Sequence, residues 1–323
     1  MKLTRFAMSG IASTLFACLA APALAADYPN KTITMVVPYS AGGGADNAAR
    51  IIAQGMESIT GQTIVIENRP GASGSIGAGA VARAKPDGYT VLYDASSFAI
   101  NAVLRKLPYD PDNDFIPVTQ AVVVPNILVV ANESPYQTLA DYIAAAKANP
   151  GGHNYASYGP GSLAQMAAEL LKKEADIDLV HVPYKGGAPA MVDVMGGHVE
   201  AYFANAASGL NYVTQGKLRA LAVTSDERMD EIKDVPTMME SGIKDFAVYE
   251  WNGFFFPKNT PSEAVDRLYQ IVKETLERPD VQERLAGLGL TPVASSPAEF
   301  GTFLKDEQQR WADVARTNDI TVD

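Results

Sequence analysis

Serine, glycine and tyrosine are spaced at four places in this chain as donors for a small anion. The first place is Val37-Pro38-Tyr39-Ser40-Ala41-Gly42-Gly43-Gly44, with Asp46 close behind. Its glycines let the backbone turn sharply and aim N–H groups over the start of a helix, where the helix dipole favours negative charge. Gly43, in the middle of the run, is expected to need both close approach and positive φ. A shorter echo, Val182-Pro183-Tyr184-Lys185-Gly186-Gly187, follows about 145 residues later. The third place is Ser157-Tyr158-Gly159-Pro160-Gly161-Ser162 and the fourth is Asp94-Ala95-Ser96-Ser97. Taken singly, each serine reads as a helix cap. Taken together, four donor-rich loops after strands match the place where open α/β sheets bind ligands. Tyr39, Tyr158, Tyr184 and Trp251 lie in or beside these loops, where they either line a pocket or pack.

Catalytic and metal-binding signatures are weaker than their plain structural readings. Gly77-Ala78-Gly79-Ala80-Val81-Ala82 fits a dinucleotide fingerprint but follows a loop instead of a strand, so the small residues read as helix packing. Asp110-Pro111-Asp112-Asn113-Asp114 opens like a calcium loop, yet Phe115 and Ala121 stand where glycine and glutamate are required. Gly71-Ala72-Ser73-Gly74-Ser75 misses the nucleophile-elbow pattern at its last position. His153, His181 and His198 show no metal-ligand spacing. These residues predict a binding protein with no catalytic group, metal or cofactor.

The elements that must position the loops alternate between strand and helix. Ile33, Met35, Val36 and Val37 form a strand, and Ala48, Ala49, Ile51, Ile52 and Met56 recur at helical spacing after it. Further strands are expected near 63–67, 90–93, 127–130, 153–156, 179–182, 201–203, 218–224 and 253–256. Helices are expected over 47–59, 75–84, 139–149, 163–174, 189–196, 264–277, 281–288 and 297–317. Such alternation predicts an α/β protein of two lobes, each a mostly parallel sheet flanked by helices, with the ligand cleft between them. The chain crosses between lobes near 125–130 and 247–253. Lobe 1 is then 26–126 plus 251–323, and lobe 2 is 127–250. Residues 1–25, with Lys2 and Arg5, an apolar run and Ala23-Leu24-Ala25, read as a cleavable secretory signal. Cys18, the only cysteine, falls inside it, which leaves no thiol chemistry after cleavage. Without Lys2 and Arg5, 24 of the 26 basic residues face 37 acidic ones, a net charge of −13. Nucleic acid is not expected as a partner.

Six or more of these segments occur in the order of a known family: VVPYSAGGGADNAAR, IENRPGASGSIGA, KPDGYTVL, KLPYDPDNDF, VHVPYKGGAPA, GKLRALAVTS and DVPTMMESG. The chain resembles the Bug-type substrate-binding proteins of tripartite tricarboxylate transporters, over essentially its whole length past the signal. The resemblance implies a monomeric periplasmic binding protein of the two-lobed type II class. It would hold a carboxylate through loop amides, hydroxyls and ordered water, and serve one small and one large membrane subunit. A sensory component and an exported hydrolase are the other classes considered. Three departures bear on ligand choice. Ala45-Asp46 replaces the family's frequent Thr-Asp, and Gln165 stands where histidine is common. Phe203-Ala204-Asn205 stands where Phe-Asp-Asn is common. A missing carboxyl at Ala204 disfavours an amino acid, whose ammonium needs an acidic partner, and favours a dicarboxylate or aromatic carboxylate.

Overall fold

The computed structural model describes residues 28–317 and Ile320. The expected signal at 1–25 lies outside the described residues. In chain order the first elements are β1 (Ile33–Val37), α1 (Gly44–Thr60), β2 (Ile64–Asn68), α2 (Ser75–Ala82), β3 (Thr90–Ala95), α3 (Ser97–Leu104) and β4 (Phe115–Ala131). Then come α4 (Leu139–Ala148), β5 (His153–Ser157), α5 (Leu163–Ala175), β6 (Leu179–Pro183), α6 (Gly187–Met195), β7 (Ala201–Asn205), α7 (Ala206–Thr214) and β8 (Leu218–Val223). The chain closes with β9 (Tyr249–Pro257), α8 (Ser262–Leu276), α9 (Pro279–Ala286), β10 (Thr291–Pro292) and α10 (Pro297–Thr317).

Each lobe is built around a three-strand parallel unit. β1 lies between β2 and β3, with Met35 opposite both Ile66 and Val91. β5 lies between β6 and β7 in the same manner. Ile33, Met35 and Val37 are fully buried, because a strand covered on both faces cannot alternate with polar residues. α1 packs Ala48, Ile52 and Met56 into the same core and ends on Gly61, which supplies the left-handed C-cap.

The rest of the sheet is antiparallel, and more so than the sequence suggests. β9 pairs antiparallel with both β3 and β4, and β4 pairs antiparallel with β7 and β8. The reason is topological: strands that carry the chain into the second lobe and back need no crossover helix, so they run in opposite directions. β4 is one 17-residue strand, where only its last part was expected. Its Phe115–Pro125 half pairs with β9, and its Asn126–Ala131 half pairs with β7 and β8. Thr224, fully buried, ties the two crossings together. Its hydroxyl accepts from the Asn126 amide at 2.8 Å and donates to the Val248 carbonyl at 2.5 Å.

The lobes are closed on each other. Asn47 Nδ2 reaches the Ala207 carbonyl at 2.8 Å, and Ser73 Oγ and Arg105 Nη1 reach the Pro160 carbonyl at 2.6 and 3.1 Å. No described helix is long and apolar enough to cross a membrane.

Candidate functional site

Helices α1, α3, α5, α6 and α7 all begin just after the C-terminal ends of parallel strands or of their neighbours, and three of these starts meet between the lobes. There they line a narrow cleft that is partly open to solvent. α1 contributes Gly43, Gly44 and Ala45, α6 contributes Gly187, and α7 contributes Asn205 and Ser208. No side chain caps α1 or α6, so their first amides keep their donors for whatever enters. Tyr39, Ala95, Tyr158, Tyr202 and Glu250 complete the lining.

Tyrosines and carboxyls in this cleft form two linked pairs. Tyr39 Oη donates to Asp94 Oδ1 at 2.7 Å, and the Ala95 amide donates to the same oxygen at 2.8 Å. Tyr158 Oη donates to Glu250 Oε1 at 2.6 Å and accepts from the Leu163 amide at 3.0 Å. Asn205 Nδ2 donates to Glu250 Oε2 at 3.0 Å, while its Oδ1 caps α7 through the Ala207 amide at 3.0 Å. The two tyrosine rings meet edge to face at 5.8 Å. Burial pushes the Asp94 carboxyl up to about 7, against the Tyr39 and Ala95 hydrogen bonds, with Glu250 adding to the rise. Burial also raises Glu250, against its bonds from Asn205 and Tyr158. Both phenols are raised by burial first and by their carboxyl partners second. Tyr202 Oη is buried in the lining and has no partner among the described residues.

Of the residues singled out from sequence, Tyr39, Gly43, Gly44, Tyr158 and Asn205 line this cleft. Ser40 stands at its edge, close enough to Gly186 that a Cβ there would fall 2.9 Å from Ser40 N. Ala41 and Gly42 are exposed on the loop. Asp46 is a loop brace: it accepts from the Gly42 amide, Arg50 and Asn68. Burial alone would raise its carboxyl, but these donors, Arg50 foremost, hold it below the usual range. Ser96 Oγ accepts from the Trp251 amide, and buried Ser97 sits beside the Tyr39 and Tyr158 hydroxyls. Ser157 Oγ pairs with His181 Nε2 at 2.6 Å; Ser162 caps α5 through the Gln165 amide, and Gln165 accepts from the Gly161 amide. These last groups shape the loop and are not in the lining.

Four expectations need correction. Tyr184 donates to Asp193 on α6 and stays out of the cleft. Trp251 faces away from it, because neighbours on a strand point to opposite sides and Glu250 takes the cleft side. Trp251 packs edge to face on Phe300 and Phe303, and its indole N–H donates to Glu307, which Trp311 also uses. Gly43 has φ −76° and needs no left-handed backbone; Gly42, at +78°, does. Ala204 is buried outside the lining; the carboxyl beside Asn205 is that of Glu250. Sequence reasoning missed Glu250, Tyr202 and Ser208, and of the second glycine loop only Gly187 lines the cleft. The signal for Glu250 was one acidic residue inside the apolar strand Tyr249–Pro257.

Comparison with known proteins fits this architecture. Residues 48–320 match the model of the Tripartite tricarboxylate transporter family receptor. The chain belongs to that family. It is 37% identical to Protein BugT of Bordetella pertussis over 301 residues, 92% of each chain. The solved periplasmic binding protein BugD is 35% identical, with a TM-score of 0.88 over 91% of this chain and 99% of that one. A Rhodopseudomonas palustris protein solved with adipate is 33% identical, with a TM-score of 0.88 over 91% of this chain and 99% of that one. This receptor therefore shares the two-lobed binding-protein fold of solute receptors.

Proposed function

We propose that this receptor captures a small carboxylate between its lobes and delivers it to a tripartite tricarboxylate-type transporter of one small and one large membrane subunit. One observation carries the reading: the uncapped starts of α1 and α6, with α7 beside them, meet in the cleft between the lobes. A carboxylate there replaces water on amides that no other group satisfies. Family membership supports delivery to membrane subunits and a periplasmic location. The adipate-bound relative supports a ligand of dicarboxylate size, and the tyrosines leave an aromatic acid in contention.

The test is a thermal-shift screen of the purified protein against mono-, di-, tri- and aromatic carboxylates, followed by calorimetry. A ligand at 100 times its Kd should add about 2.7 kcal/mol of stability. Uptake of that ligand in membranes carrying the two subunits should depend on added receptor. No shift with any carboxylate would refute the binding reading, and receptor-independent uptake would refute the delivery step.

A further inference from the structure

We infer that Glu250 is the residue that reads a positive group on the ligand, so that the cleft is shaped for an amino carboxylate: carboxylate on the helix starts, ammonium on Glu250. This rests on the carboxylate reading above and sharpens it.

Glu250 is 3% exposed and lines the cleft. Each of its oxygens takes one hydrogen bond from a neutral donor, Tyr158 or Asn205, and each keeps a lone pair. A buried carboxylate is costly unless a cation joins it. None does among the described residues. The titratable groups around it are Asp94 on β3, Tyr39 after β1, Tyr158 after β5 and Tyr202 on β7, all acidic or neutral. Burial disfavours its charged form, which is the cost a ligand cation would relieve.

Tyr202 points the same way independently. Its hydroxyl is fully buried, has no partner among the described residues and faces the cleft. It lies at the start of α6, where a Cβ on Gly187 would fall 3.0 Å from it. A hydroxyl next to free helix amides is a donor set for a ligand carboxylate. The cleft thus offers donors near α6 and an acceptor without a counter-ion at Glu250. A ligand carrying only negative charge would satisfy the first and oppose the second.

Calorimetry on skeleton-matched pairs separates the cases: succinate against aspartate, glutarate against glutamate, and propanoate against 3-aminopropanoate. The ammonium-bearing member of at least one pair should bind about tenfold tighter or more. Glu250→Gln, nearly the same shape without the charge, should cut that preference to about threefold or less. In the unaltered protein the preference should also shrink as pH falls and Glu250 takes up a proton; Asp94→Asn should retain this behaviour. Equal binding within every pair, or a preference that survives in Glu250→Gln, overturns the assignment. So does a dicarboxylate that binds tighter at low pH and survives in Glu250→Gln, since Glu250 would then act as a neutral donor. Silence of every probe, together with the wider screen, overturns the carboxylate reading itself.

Discussion

Gly44→Ala is the substitution for which the structure and helix propensity make opposite forecasts. Alanine is the better helix former, and Gly44 is the first residue of α1, so propensity alone expects a small gain in stability. An ideal Cβ at Gly44 would lie 2.5 Å from Asn205 Cγ and 3.0 Å from Asn205 Cβ, which belongs to the other lobe. Asn205 cannot swing away freely, because Oδ1 caps α7 and Nδ2 holds Glu250. Losing the cap costs about 1 kcal/mol, and losing a bond to a charged acceptor about 1.5–3 kcal/mol. The cheaper escape is for the lobes to part. Closure then becomes harder by about 1.5–3 kcal/mol, and apparent affinity falls with the closed fraction, by roughly 10- to 150-fold. The thermal midpoint without ligand should hardly move. Calorimetry with the tightest carboxylate is the assay, and Gly43→Ala is the control, since its Cβ meets only Ser40 O at 3.2 Å and Gly187 N at 3.9 Å. Unchanged affinity in Gly44→Ala would refute the argument that Asn205 and α1 must interlock for binding.

Tryptophan emission should shift little on saturation with carboxylate, because Trp251 and Trp311 both bond Glu307 on α10; a large change abolished by Trp251→Phe would show that this layer moves. Tyr184→Phe should cost about 1 kcal/mol through the lost bond to Asp193 and leave carboxylate affinity unchanged, as paired denaturation and calorimetry will show. Asp94 titrates near 7 when folded and near 3.9 when unfolded, so the native state holds the extra proton between those values. Its contribution to stability therefore falls as pH rises from about 4 to about 7 and is flat above that. Denaturant titrations across this range should show the slope, and Asp94→Asn should flatten it.

The order of elements was readable because buried strands and amphipathic helices repeat with different periods. Ile33–Val37 and the 48–56 helix face are plain cases. Two helices escaped notice. α3 and α7, SFAINAVL and AASGLNYVT, are short and mostly small or β-branched, with too few turns to show a period. The first half of β4 was hidden by Pro117, Thr119 and Gln120, which a strand between neighbours tolerates through register shifts at Pro117/Thr119 and Gln120/Val122. For the site, the glycine loops were legible because their chemistry is local. Glu250 was not: its partners Asn205 and Tyr158 lie 45 and 92 residues away. Trp251 misled for the matching reason. Its position along the chain was right for the cleft, but strand alternation turned it to the other side.

The single strand β4, shared by both sheets, has a consequence for how the chain folds. Lobe 1 cannot finish its sheet until β9 arrives, more than a hundred residues after β4 begins, to pair with β3 on one side and β4 on the other. Pairings this distant in sequence slow folding, since the loop must close before its contacts reward it. A fragment cut at Asn126 would expose the unpaired edge of half a strand, which invites aggregation. The two lobes are therefore expected to unfold as one cooperative unit, since β4 pairs into both.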